Sequence, residues 1–200
     1  MKSKKEHFEI EEKQKELLDG ILLQTGRVGK LLGRFAPIVS SKNVKNLFIV
    51  YDEIVSIFDE MSIRLSMEGI TYNISGCKES KLYGEPIQFS QIFYNLIINS
   101  IYAIKKKGVD GIINVSIKEI DSVVTIEFCD NGVGIPSEIQ RKIFDPFFST
   151  KRKEAEEGGE GLGLYIVWNI LKMFNGKIFV NSKYSDGAMF VMKINKEEEK

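Results

Sequence analysis

The sequence is short of several things, and each shortage removes a class of function. It has two cysteines, Cys77 and Cys129, and one histidine, His7. The thiols stand far apart and match no metal-ligand spacing. With no secretory leader ahead of them they read as free thiols in a reducing, cytoplasmic compartment. Neither sign of charge is in excess, since 28 basic residues meet 28 acidic ones. No overall field therefore draws the chain to nucleic acid or to an acidic membrane surface. Uninterrupted apolar runs last only a few residues, too few to cross a bilayer, and a membrane tether elsewhere in a longer protein is left open. No internal repeat or extended low-complexity segment is present. The G-x-x-x-x-G-K-[ST] pattern of a P-loop is missing. The dense glycine stretch from Gly158 to Gly163 does not fit G-x-G-x-x-G either, because the last place falls on Leu164 or Ile166. No strand immediately precedes it, which disfavours a dinucleotide fold.

What is present is a globular composition, 43% apolar, long enough for one full domain with an appendage. Residues 1 to about 16 are highly charged. A mostly apolar seam follows at Leu17, Ile21, Gln24, Val28, Leu31 and Phe35, with spacings alternating between four and three. That is the repeat of a helix packed lengthwise on another helix. Gly20, Gly26, Gly29 and Gly33 each weaken such a helix by roughly 1 kcal/mol relative to Ala. It therefore needs a partner, most simply a second copy of the chain; packing on its own domain is the alternative. Pro37 and the Ser40–Asn43 stretch end it. We divide the chain into an N-terminal helix over 1–40 and a domain over 41–200.

Within that domain, patterning predicts strands over 47–50, 70–74, 82–84, 112–117 and 123–128. Helices are predicted over 52–68, 87–104, 138–144 and 162–174, the last stopped by Asn175-Gly176. A loop over 145–160 and a hairpin of 177–180 with 188–194 around Asp186-Gly187 complete the reading. The expected class is α+β, a mixed and mostly antiparallel sheet with helices on one face.

Four blocks, in one order, carry chemistry. On a helix, Phe93, Leu96, Ile97, Ser100, Ile101 and Ile104 form a core stripe. Gln91, Asn95 and Asn99 fall together on another side. An amide oxygen is a neutral hard ligand of the kind Mg²⁺ accepts beside phosphate oxygens and water; two surface amides on a polar face is the plainer reading. The second block is Asp130-Asn-Gly132-Val-Gly134-Ile135, at the end of a β-branched strand. Its glycines let the backbone turn and let a flat ligand lie close. An ionised Asp only accepts hydrogen bonds, so Asp130 suits the exocyclic amine of adenine; a tight turn formed by Asp and Asn would use the same residues. The third block, Phe144-Asp-Pro-Phe147-Phe-Ser-Thr150-Lys151, reads as an apolar clasp that pins the start of a loop, with Lys151 the nearest cation for a terminal phosphate. The fourth is Gly159-Glu-Gly161-Leu162-Gly163-Leu164, at a helix N-terminus where unpaired N–H groups favour phosphate.

Together these blocks resemble the nucleotide-binding domain of sensor histidine kinases, in the GHKL ATPase superfamily. Gln91–Ile104 resembles that family's N box, Asp130–Ile135 its first glycine box, Phe144–Lys151 its F box and Gly159–Leu164 its second glycine box. The resemblance spans about residues 45–195 and implies a Bergerat-type α/β sandwich with ATP beneath a lid over about 136–160. It further implies that Asn99 ligates Mg²⁺ and that Asn95 supports the metal and the phosphates, acting in catalysis with Lys151. Asp130 would read adenine, with Gly132, Gly134 and Ile135 beside it. Phe147, Thr150, Gly159, Gly161, Leu162, Gly163 and Leu164 would also contact the nucleotide, Gly161 and Gly163 at the phosphates. The Phe-Phe-Ser-Thr-Lys form resembles the kinases related to nitrogen regulators. Partners implied are a response regulator, a phosphoacceptor hairpin and a second copy of the chain.

Three departures stand out. Ser100 occupies a place where Ala is usual, a small change. Tyr102 and Ala103 replace a basic and aromatic pair, so no adenine stacking is expected there. His7 is followed by Phe8 rather than an acidic residue, with no proline soon after, so it does not resemble the phosphoacceptor. Residues 8–36 resemble the second helix of the dimerisation hairpin, which leaves the first helix and its His outside this chain. Hydrolytic relatives carry an acidic residue at or near the place of Asn95, and an amide cannot take a proton from water. The residues therefore favour phosphoryl transfer. A non-catalytic nucleotide-binding module and a protein-serine kinase of the anti-sigma type are the alternatives.

Overall fold

The structure is a computed structural model and describes residues 44–151 and 161–196. The chain divides into two units, Met1–Lys42 and Asn43–Lys200, and every described residue belongs to the second. The readings made for residues 1–40, including the apolar seam, His7 and the dimer, lie outside the described residues. So do those for 152–160, Gly159 among them.

The described elements run β1 (Asn46–Ile49), α1 (Val50–Met67), β2 (Ile70–Gly76), β3 (Lys81–Gly84), α2 (Pro86–Lys107), β4 (Gly111–Ile120), β5 (Val123–Asp130), α3 (Gly163–Met173), β6 (Gly176–Val180) and β7 (Ala188–Asn195). β1 and β3 form a small antiparallel pair, and the other strands form one sheet in the order β2-β4-β5-β7-β6. Among the described strands only β2 against β4 is parallel; the remaining pairs are antiparallel.

Strand alternation decides what each face does. In β4, Ile113, Val115 and Ile117 are buried while Ile112, Asn114 and Lys118 are exposed. In β5, Val124, Ile126 and Phe128 are buried. One face therefore meets the helices and the other meets water, as expected of a largely antiparallel sheet. The helices answer with their own stripes: Ile54, Phe58, Met61 and Leu65 from α1, and Phe89, Phe93, Leu96, Ile97, Ile101 and Ile104 from α2. Each such side chain, fully buried, stabilises the fold by roughly 1.5–3 kcal/mol.

α2 is longer than predicted. Pro86 opens it, Lys105, Lys106 and Lys107 fill its last turn, and Gly108 closes it in the left-handed conformation at φ 73°. Those three cations complement the partial negative charge of a helix C-terminus. The predicted helix over 138–144 is a run of turns instead. Its bonds are mostly of the tight three-residue kind, Ile139 N–H to Pro136 O (3.1 Å) and Lys142 N–H to Ile139 O (2.8 Å) among them. Pro136 and Pro146 bracket the segment, and too few residues lie between them to propagate a nucleated α-helix.

Candidate functional site

β5 carries alternate side chains into the helical layer, and Asp130 is the next position after Val124, Ile126 and Phe128 on that same face. A carboxylate thus stands where the pattern calls for a core residue, with 3% of its surface exposed. Burial pushes its pKa above the ordinary value, and hydrogen bonds and the Lys107 charge oppose that shift. Oδ1 accepts the backbone N–H of Gly132 at 2.9 Å and that of Ala188 at 3.4 Å. Oδ2 accepts the hydroxyl of Ser100 at 2.8 Å. A buried charge is tolerable only when paired in this way.

The loop after Asp130 is tied down on every side. Asn131 is held by β4 and its approach: Oδ1 accepts the Ile112 N–H at 2.9 Å and Nδ2 donates to Asp110 O at 2.8 Å. Lys107 Nζ donates to Asn131 O and to Asp186 O, both at 2.8 Å, and so links the loop to the β6–β7 connection. A Cβ on Gly132 would lie 2.6 Å from the Ala103 methyl, so only glycine lets the loop lie on α2. A groove of about 440 Å³ opens here, lined by residues 132–136, residues 185–187 and Lys107.

Further along the same helix, Asn95 and Asn99 are half-buried at the edge of α2. Asn95 Nδ2 donates to Gln91 O at 2.9 Å, which fixes its amide. The start of α3 comes against this pair: a Cβ at Gly163 would sit 3.3 Å from Asn95 Oδ1 and 3.8 Å from Asn99 Nδ2. Leu162, the N-cap of α3, makes no side-chain cap, and the first turn holds no acidic residue. Lys151 Nζ donates to Asn99 Oδ1 at 3.3 Å and lies 4.5 Å from the Tyr102 ring centroid. Gly161, at φ 72°, allows close approach, since a Cβ there would lie 2.6 Å from Phe148 O.

The structure thus brings Asn95, Asn99, Lys151 and Gly163 together at the middle of α2, with Gly161 against the 147–148 backbone. Asp130 and Gly132 meet the adjoining stretch of the same helix at Ser100 and Ala103, with Gly134 and Ile135 in the groove beside them. The apolar clasp is corrected at one ring, since Phe144 and Phe148 are half-buried and Phe147 is not. Phe147 is 71% exposed and left-handed at φ 65°, and the buried anchor of the segment is Ile143, at 6% exposure. A bend between Asp145 and Phe148 turns Phe147 outward, and the backbone of 147–148, not the ring, meets Gly161. Thr150 is exposed. Leu162 has its side chain in the core at 1% exposure, so it can offer a ligand only backbone, while Leu164 is half-buried. Two participants escape the sequence: Ser100, read as a small change, and Lys107, whose role depends on a loop distant in the chain. Serine inside an otherwise apolar stripe is the available signal for the first. Both cysteines are free; burial pushes the Cys129 thiol up to about 11. Among the described residues no cluster of three or more His, Cys, Asp or Glu could hold a metal ion. No helix among them is long and apolar enough to cross a membrane.

The family model described as histidine kinase-, DNA gyrase B-, and HSP90-like ATPase matches residues 84–198. Sensor histidine kinase ZraS of Klebsiella oxytoca is 35% identical over 111 residues, 55% of this chain and 22% of the relative. Sporulation kinase C of Bacillus subtilis is 33% identical over 141 residues, 70% of this chain and 31% of the relative. The chain therefore spans about a fifth to a third of the length of these curated relatives. Among solved structures, the catalytic domain of histidine kinase ThkA aligns with a TM-score of 0.66 at 25% identity, covering 76% of this chain and 98% of that one. ThkA in complex with response regulator protein TrrA aligns at 0.65 and 22% identity, covering 86% and 49%.

Proposed function

Because the chain belongs to the histidine kinase-, DNA gyrase B- and HSP90-like ATPases, we propose that it is the ATP-binding catalytic part of a two-component sensor histidine kinase. It moves the γ-phosphate of ATP to a histidine on a separate helical hairpin, and from there the phosphate passes to a response regulator. The observation that carries this reading is the pair Asn95–Asn99 facing the uncapped start of α3 across Gly163. Two amides and the Lys151 ammonium meet there. Amides position a phosphate and a cation but cannot deprotonate water, which favours transfer over hydrolysis.

In this reading Asp130 accepts from the exocyclic amine of adenine, with Gly132, Gly134 and Ile135 beside the base. The N–H groups at the start of α3 and the backbone of Gly161 and Gly163 receive the phosphates. The donor set fits Mg²⁺ of the kind that keeps several waters and is shared with substrate phosphates. Asn99 Oδ1 would hold it and Asn95 would support it, and the ion would supply neutralisation of phosphate charge. Lys151 serves the terminal phosphate. Catalysis by these residues is positioning and charge stabilisation. The phosphoacceptor hairpin and a second copy of the chain would be its partners, in the cytoplasm.

Incubation with radiolabelled ATP, magnesium and a supplied two-helix hairpin domain tests this. Acid-labile, base-stable label on the hairpin is the expected result. Acid-stable label would identify a serine kinase, and nucleotide binding without transfer to any acceptor would identify a binding module.

A further inference from the structure

A carboxylate offers about four lone-pair sites to donors. On Asp130 both sites of Oδ1 are taken, by the Gly132 and Ala188 N–H groups, and one site of Oδ2 is taken by the Ser100 hydroxyl. One site on Oδ2 remains. The two backbone donors belong to the loop and to β7 and would grip any carboxylate here. Ser100 is different: it comes from the core stripe of α2, is 1% exposed, and is the side chain that settles how the second oxygen is turned. Nothing in helix packing calls for a hydroxyl at that place, where Ala would fit and would favour the helix.

We infer that Ser100 is a specificity-determining positioning residue, which pins the Asp130 carboxylate so that its one remaining acceptor site meets a 6-amino purine and rejects a 6-oxo purine. The inference rests on the adenine reading above. A 6-oxo purine carries a carbonyl in place of the amine, with a ring N–H beside it. Held at Oδ1 alone, where the Ala188 bond is long at 3.4 Å, the carboxylate can tilt toward that N–H; held at Oδ2 by Ser100 as well, it faces the carbonyl. The hydroxyl also favours the ionised form, against the burial that favours the neutral acid. Without Ser100 a larger share of Asp130 is protonated, and a neutral carboxylic acid can donate to the carbonyl. Both routes weaken discrimination in the same direction. The charged and titratable groups facing Asp130 are Lys107 from α2, Cys129 from β5 and Tyr184 from the β6–β7 connection, and all three stay in place when Ser100 is changed.

The test compares dissociation constants of ATP and inosine triphosphate by calorimetry with magnesium, for the full chain and for Ser100→Ala, at several pH values. Thermal melting of each variant is recorded alongside. The expected result is a fall of about tenfold in the ATP-over-inosine preference, with a melting temperature lowered by no more than about several degrees, so that the variant stays folded. The loss of ATP affinity on acidification should also begin at higher pH in Ser100→Ala than in the parent. In an Asp130→Asn background Ser100→Ala should leave the preference unchanged, because the group it positions is gone. A preference that stays within about twofold of the parent in folded Ser100→Ala overturns the inference while leaving ATP binding intact. If Ser100→Ala lowers the preference equally in the Asp130→Asn background, the effect does not run through the carboxylate and the inference is also overturned. Absence of ATP binding by the unaltered chain sinks the nucleotide reading itself, and that outcome is visible before any variant is made.

Discussion

The two ends of the candidate site are built differently. At the Asp130 end the polar groups are held by the fold: Asp130 by backbone of the following loop, backbone of β7 and the Ser100 hydroxyl, and two loop carbonyls by Lys107. At the Asn95–Asn99 end the amides are half-buried, the start of α3 is uncapped, and Lys151 rests on Asn99 and Tyr102. The first arrangement is made once, when the domain folds. The second uses contacts that a ligand must replace: an amide oxygen accepting from an ammonium gives up that bond to bind a cation. Base recognition can therefore be rigid and selective, while the phosphate end stays open to a group that must leave after each turnover.

The sharpest way to break this comparison is Asp130→Asn. An Asn amide can keep all three fold contacts: its oxygen accepts from Gly132 and Ala188, and its nitrogen donates to Ser100 Oγ. It then points N–H at the adenine amine. ATP affinity should fall about a hundredfold or more, since a charge-assisted bond is replaced by two opposed donors. Stability should move the other way. The folded-state pKa of Asp130 is raised above its unfolded value. The folded form therefore binds its proton more tightly, and ionised Asp130 is a net cost above the folded-state pKa, relieved as pH falls through it. The Asn variant should melt at the same temperature as the parent or about a few degrees higher at about pH 7.5. A variant that melts much lower would show that the charge holds the fold together and that the site is not preorganised at the fold's expense.

Asn99→Ala tests the other end with a smaller effect. It removes the amide oxygen proposed for the cation and leaves the purine end untouched. ATP affinity measured with magnesium should fall about tenfold, and affinity measured with chelator should change less than about twofold. Melting should be nearly unaffected, because a half-buried side chain at a helix edge supports little packing. An equal loss in both conditions would mean that Asn99 serves the phosphates directly.

How much of this is legible in the sequence follows the same division. The core stripe of α2 is readable because hydrophobic spacing on a helix is a local signal, and every residue assigned to it is buried. The register β4–β5 is readable because Asp121-Ser122 sits between two β-branched runs. Asn95, Asn99 and Gly163 stand out as candidates, but their facing one another depends on α3 packing on α2, which no local pattern encodes. Phe147 misleads because aromatic composition suggests burial, whereas a bend at 145–148 decides which ring turns inward. Ser100 is easily passed over because its meaning depends on the strand opposite it: the hydroxyl matters only once β5 has delivered Asp130 to the same layer.

The finest test is Lys151→Met. In the free protein Lys151 makes a 3.3 Å bond to Asn99 and a cation–π contact with Tyr102. At a partly exposed site such contacts stabilise by under about 1 kcal/mol each, so melting should barely move. The substitution has two opposing consequences for nucleotide. It removes a cation from the terminal phosphate, and it frees the Asn99 oxygen from a competitor. The first weakens binding of a triphosphate only, because a diphosphate has no γ-phosphate for Lys151 to meet; the second helps both nucleotides when magnesium is present. ATP affinity should fall about three- to fivefold, as for loss of one exposed charge contact, with ADP changed less than about twofold or slightly improved. Calorimetry of both nucleotides in one buffer reads the difference directly, and raising salt should shrink the ATP effect first. Equal weakening of ATP and ADP would place Lys151 at an inner phosphate and remove the distinction between a fixed purine end and an exchangeable terminal-phosphate contact.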